Sequence, residues 1–241
     1  MKINGASLAA NAGLAGLRRD AARDLAVVAA LVGVLASALG AAGGLGLDYM
    51  AKTWLVYGLG AWLVWRALPH HRHARFGAAN RVTLARLGSM ALLAALVGEA
   101  LPRPPLASMA PVAWGLVVTA TATALLDAVD GALARRSGLA SAFGARFDME
   151  TDAAFTLVLC ALVLQAGQAG PWVLASGLMR YAFVAASRPW PWLAGTLPPS
   201  KRRQTVCVVQ ITALIVCLGP IVPPGPAAWL AAASLALLSL S

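Results

Sequence analysis

The chain has 241 residues, a formal net charge of +10, 60% hydrophobic and 12% charged residues, and a mean hydropathy of +0.75. That composition is too apolar for a soluble domain with a solvated surface, so the bilayer is its solvent. The basic residues form no stripe with interleaved aromatics, which argues against nucleic acid, and Cys160, Cys207 and Cys217 lack disulfide or zinc-ligand spacing.

Apolar runs between glycine, proline and charge clusters predict eight spanning helices, at 25–45, 54–68, 82–101, 112–134, 147–166, 172–186, 206–218 and 227–240. The first run is longer than a signal-peptide core and lacks a convincing cleavage site, so it is kept as a span. Residues 1–24, with Arg18, Arg19 and Arg23, form a short cytoplasmic arm. Threading the spans alternately leaves only Lys52 and Arg103 on the outer side, and most other basic residues share a side with the arm. The positive-inside rule then places both termini in the cytoplasm.

Between the second and third spans, residues 69–80 carry His70, His71, Arg72, His73 and Arg75. This stretch reads as an interfacial segment lying on anionic headgroups, or as a short histidine metal site; no nearby carboxylate or cysteine completes the latter. The expected organisation is an arm (1–24), two additional helices (25–68), a basic juxtamembrane segment (69–81) and a six-helix membrane domain (82–241).

Five of the nine acidic residues, Asp127, Asp130, Asp148, Glu150 and Asp152, crowd around the turn between the fourth and fifth spans. An acid at a helix centre in the membrane costs about 2.5–3.5 kcal/mol on insertion scales, and adjacent like charges add to that, so something positive must compensate. Asp127 and Asp130 share one helix face by their spacing, and Asp148 and Asp152 share another. The short turn lets the two faces meet. All-carboxylate ligation suits magnesium or manganese, and two such ions about 4 Å apart clamp the attacking and leaving oxygens of phosphoryl transfer. Gly131, Ala134 and Gly144 are small enough to admit a nucleotide close to the helix backbone, or simply to pack helices.

The run Asp127-Ala-Val-Asp130-Gly131-Ala-Leu-Ala134-Arg135, then Gly144, Asp148 and Asp152 at their spacings, resembles the complete signature of the CDP-alcohol phosphotransferase (CDP-alcohol phosphatidyltransferase) family. The resemblance implies an all-α integral membrane protein, with a six-helix core that here follows two additional helices. It also implies a homodimer that binds a CDP-alcohol from the cytoplasmic side and releases CMP. Asp127, Asp130 and Asp148 would hold the two divalent metal ions, and Asp152 would act as base, as metal ligand, or as both. Gly131, Ala134, Arg135 and Gly144 would face the CDP group. Upstream, Asn80, Thr83 and Arg86 resemble the start of the family's first core helix, where polar residues face the nucleotide; helix capping explains Asn80 equally well.

Arg180 inside a span, with Lys201, Arg202 and Arg203 before the next, suggests a pocket for a phosphorylated acceptor, although the positive-inside rule also accounts for the Lys201 cluster. The reading is therefore a phosphatidylglycerophosphate synthase-like enzyme of the inner membrane, using CDP-diacylglycerol and glycerol 3-phosphate. Inositol phosphate, serine and phosphatidylglycerol stay open as acceptors. An intramembrane prenyltransferase would need a second aspartate-rich motif, and a cation transporter would distribute its acids over several helices.

Overall fold

A computed structural model describes residues 3–71, 73, 75–100, 111–137, 141–195 and 200–241. Among these residues there are eight α-helices and no strand. They are α1 (Ile3–Gly43), α2 (Leu47–Ala67), α3 (Ala78–Ala94), α4 (Pro111–Ser137), α5 (Ala142–Gln165), α6 (Leu174–Ala186), α7 (Lys201–Cys217) and α8 (Pro224–Ser239). Each overlaps one of the apolar runs. The polar arm is helical as well, and α1 runs through it without a break.

The chain divides into two compact units, Met1–Ala95 with Ala122–Thr151, and Leu96–Thr121 with Asp152–Ser241. In the first, α1, α2 and α3 pack on one another. The buried stripe of α1 is Leu17, Ala21, Val32 and Ala36, spaced in steps of four or multiples near the helical repeat. Gly44, at φ +65°, ends the helix in the left-handed region, and the Leu45 N–H returns to the Gly40 carbonyl at 2.9 Å. Close approach of the helices rests on glycine. A Cβ on Gly88 would come within 2.8 Å of Val32 and 3.0 Å of Val28, and one on Gly60 within 2.7 Å of Leu87.

After α2, Pro69 sits in a 3-10 turn, Leu68–His70, and the chain re-enters a helix through Gly77 at φ +88°. The intervening segment is tied to the start of α5. There Ser141 Oγ accepts the Gly144 N–H at 3.0 Å, satisfying one of the unpaired donors of the first turn. His71 Nε2 lies 3.0 Å from the Arg75 carbonyl, which can only accept, so this nitrogen carries the proton. Nδ1 is then the acceptor for the Ser141 hydroxyl at 3.2 Å. The His71 and Phe143 rings meet at 5.1 Å between centroids, tilted by 56°.

In the second unit α7 and α8 pack as a hairpin, and α6 reaches α8. The Gln165 amide closes the end of α5 by donating to the Leu96 and Glu99 carbonyls and accepting the Gly98 N–H. A Cβ on Gly177 of α6 would lie 2.5 Å from the Leu157 Cα, so these two helices meet backbone to backbone.

Large apolar side chains also point outward: Val27, Leu31, Val34 and Leu35 on α1, and Leu55, Leu59, Trp62 and Leu63 on α2. In water each would forgo about 25 cal/mol per Å² of burial. Gly13–Gly43 and Val112–Val129 are long and apolar enough to cross a bilayer by length and composition.

Candidate active site

Helices α3, α4 and α5 carry the charged cluster. Arg86 is fully buried on α3, and its Nη1 lies 2.9 Å from Asp127 Oδ1 of α4 and 2.6 Å from Asp148 Oδ1 of α5. One guanidinium nitrogen thus bridges the two carboxylates, each of which keeps more than a third of its side chain exposed. Asp152 follows Asp148 one turn later on the same helix. Ligand oxygens of Asp127, Asp148 and Asp152 all lie within 4.8 Å of one another. Across an octahedral magnesium ion, opposite oxygens stand about 4 Å apart, so this donor set fits a hard divalent cation.

The meeting of the Asp127 and Asp148 faces is therefore present in the fold. The side chains of Asp130, Ala134 and Arg135 lie outside the described residues; Gly131 is half-buried on α4. Asn80 and Thr83 are both buried on α3. The Asn80 amide donates to the Phe76 carbonyl, and its Oδ1 occupies the space beside Gly144, where a Cβ would come within 2.8 Å. Glycine at 144 leaves room for the Asn80 side chain reaching across from α3, a reason that the spacing of the α5 residues alone does not show. Two residues far apart in sequence, both assigned to the nucleotide side, touch.

Of the acceptor candidates, Arg180 is half-buried on α6, and Lys201, Arg202 and Arg203 form the first turn of α7. An Arg202 Nη2 donates to the Ser241 carbonyl at 3.0 Å, linking the beginning of α7 to the end of the chain.

Sequence reasoning placed Arg86 with the polar residues of α3 but did not pair it with the aspartates. The signal was there: an arginine inside an apolar helix needs a partner of opposite charge, and the only dense group of acids is the one it meets. Asp20, Asp24 and Ser141 gave no such signal, because their contacts are made by the fold.

The family model described as CDP-alcohol phosphatidyltransferase matches residues 76–240. No curated protein and no solved structure matched the chain. With the match covering well over half the sequence, the chain belongs to the CDP-alcohol phosphatidyltransferase family. It is a transferase of substituted phosphate groups, one that moves a phosphatidyl group from a CDP-alcohol to an acceptor alcohol, in a family that depends on metal. Membership and the apolar helices make it a membrane protein, and the cation-transporter reading is set aside.

Proposed function

We propose that this enzyme transfers the phosphatidyl group of CDP-diacylglycerol to glycerol 3-phosphate, releasing CMP, as a phosphatidylglycerophosphate synthase does. The observation that carries the chemistry is the convergence of Asp127, Asp148 and Asp152 on the family's signature helices. Asp130, three residues after Asp127 on α4, completes the proposed ligand set. Two divalent ions, magnesium or manganese, would neutralise the diphosphate and stabilise CMP as leaving group.

The chain's own residues do the rest. Asn80, Thr83, Gly131, Ala134, Arg135 and Gly144 receive the CDP group, and the carboxylates keep the diphosphate end of the donor in place. Asp152 accepts the proton of the acceptor hydroxyl as its oxygen attacks the phosphorus. Arg180, Lys201, Arg202 and Arg203 supply the positive charge that suits a phosphorylated acceptor over serine.

In this reading 1–24 is a cytoplasmic arm, 25–68 holds two added spans, 69–81 lies at the interface and 82–241 is a six-helix core. The site faces the cytoplasm of the cell membrane in a homodimer. The test is CMP release by purified protein from CDP-diacylglycerol with magnesium or manganese and one acceptor at a time. Glycerol 3-phosphate should support release; if only inositol phosphate, inositol, serine or phosphatidylglycerol does so, the acceptor assignment fails while the reaction class stands.

A further inference from the structure

Four acids lie outside the signature cluster: Asp20, Asp24, Asp48 and Glu99. Two of them hold the start of α3. Arg81 Nε donates to Asp24 Oδ2 at 2.7 Å, and Arg81 Nη2 donates to Asp20 Oδ1 at 3.2 Å. The other oxygen of Asp20 accepts the backbone N–H of Phe76 at 3.1 Å. Asp20 and Asp24 are one turn apart on α1, so a single helix face grips both the approach to α3 and its first turn. The two carboxylates are more enclosed than the arginine, at 26% and 15% exposure against 51%. Hydrogen bonding to Asp24 chiefly raises the Arg81 pKa above its ordinary value, so the guanidinium stays charged.

The grip continues along the helix. Arg81, Gly88 and Leu92 fall on one stripe of α3, with spacings of seven and four. Gly88 admits Val28 and Val32 of α1, and the Leu92 carbonyl accepts the Tyr49 hydroxyl of α2 at 3.3 Å. Asn80 and Arg86 leave α3 in other directions, toward Gly144, and toward Asp127 and Asp148. One side of α3 is therefore fastened to the amino-terminal helices, and another faces the groups of the transfer site. The family match begins at Phe76, the residue whose N–H is held by Asp20.

We propose that α1 is a positioning element for the transfer site, in which Asp20 and Asp24 lock the first turn of α3 and so keep Asn80 and Thr83 in register with Gly144 for the CDP group of the donor. This rests on the proposed assignment of those residues to the nucleotide. Asp20 and Asp24 touch no reacting atom; they act through Arg81 and the Phe76 amide.

The test uses the full chain in lipid nanodiscs, with Asp20→Asn, Asp24→Asn and the double variant, and with Asp24→Glu as the conservative control. Two readouts are taken: hydrogen exchange of the amides in 76–87, and steady-state CMP release against donor concentration. The Asn variants should exchange faster across that segment and show a KM for the CDP-alcohol raised about threefold to tenfold, with kcat changed less than twofold. Asp24→Glu should stay close to wild type. Arg81→Glu should behave like the double variant, and its combination with Asp24→Arg should recover most of the lost affinity.

Unchanged exchange, or a fall in kcat with no change in KM, overturns the proposal, as does a charge reversal that recovers nothing from folded protein. Wild-type protein that releases no CMP from any CDP-alcohol would instead overturn the assignment of the nucleotide site and the donor-positioning role with it. The exchange measurement would still report, separately, whether Asp20 and Asp24 fix α3.

Discussion

Arg86 places a permanent positive charge where two carboxylates meet, and a bound divalent cation would place positive charge on the same groups. These two sources of compensation should substitute for each other in part. Replacing Arg86 with methionine leaves Asp127 and Asp148 facing one another, but both keep solvent contact, so the cost is well below that of a stranded buried charge. An expected loss of about 1–2 kcal/mol in chelator corresponds to roughly 2–8 °C for a chain of this size. Added magnesium should raise the unfolding temperature of Arg86→Met by more than it raises that of wild type. Equal shifts would mean that arginine and metal do not share the carboxylates. Asp130→Asn is expected to abolish CMP release while the protein still inserts and folds, since it removes a proposed ligand and relieves repulsion; retained activity would break the proposed ligand set.

His71 offers a pH-dependent reading of the segment before α3. Burial is the main cause of its lowered pKa; the neighbouring His73 adds to the lowering, and the bond to the Arg75 carbonyl opposes it. With a folded value below the ordinary 6.5, the unfolded chain binds the proton first on acidification, so stability is complete above about pH 6.5 and declines as pH falls toward the lowered value. A proton on Nδ1 also removes the acceptor of the Ser141 hydroxyl. Thermal unfolding at pH 7.5 and 5.5 should show a drop in wild type that is smaller in His71→Gln, and equal drops would assign the effect elsewhere.

At the scale of elements, hydropathy located the helices by their apolar portions and missed their polar turns. The run at 206–218 corresponds to α7, which begins at Lys201, and the run at 147–166 to α5, which begins at Ala142. Backbone hydrogen bonding begins a turn before the apolar run, whereas an apolar window reports only the part that suits lipid. The Asp148 and Asp152 pair was legible because helical spacing fixes which residues share a face. What brings α3 to them was not, since Gly60 and Gly88 acquire meaning only when a specific neighbour arrives. Gly177 is the most demanding case. An alanine there sets its Cβ against the Leu157 backbone, which cannot rotate away, and overpacking should cost about 1–3 kcal/mol. Gly58→Ala on α2, where nothing lies within 4 Å, should be neutral or stabilising in the same unfolding assay. If both alanine variants unfold alike, the close crossing of α5 and α6 is not a constraint.

For the whole molecule, the charge distribution makes a prediction about the membrane that the amino-terminal helices can test. At 1.5 Å per residue α1 is about 60 Å long, twice the hydrocarbon thickness. Its charged residues, Arg18 to Asp24, all precede a stretch of 19 uncharged residues from Leu25 to Gly43, about 28 Å. Helix α2, with 21 residues and about 31 Å, returns the chain from the Gly44 turn to the basic segment after Ala67. Lys52, near the beginning of α2, should therefore lie toward the outer face, and Arg75 toward the cytoplasm. Single-cysteine variants Lys52→Cys and Arg75→Cys, made after replacing Cys160, Cys207 and Cys217, can be probed in intact cells with a membrane-impermeant maleimide. Label should reach position 52 directly and position 75 only after permeabilisation. The reverse pattern would invert the topology and overturn the proposed cytoplasmic orientation of the site, whereas equal labelling of both in intact cells would show that α1 and α2 lie along the surface and do not cross.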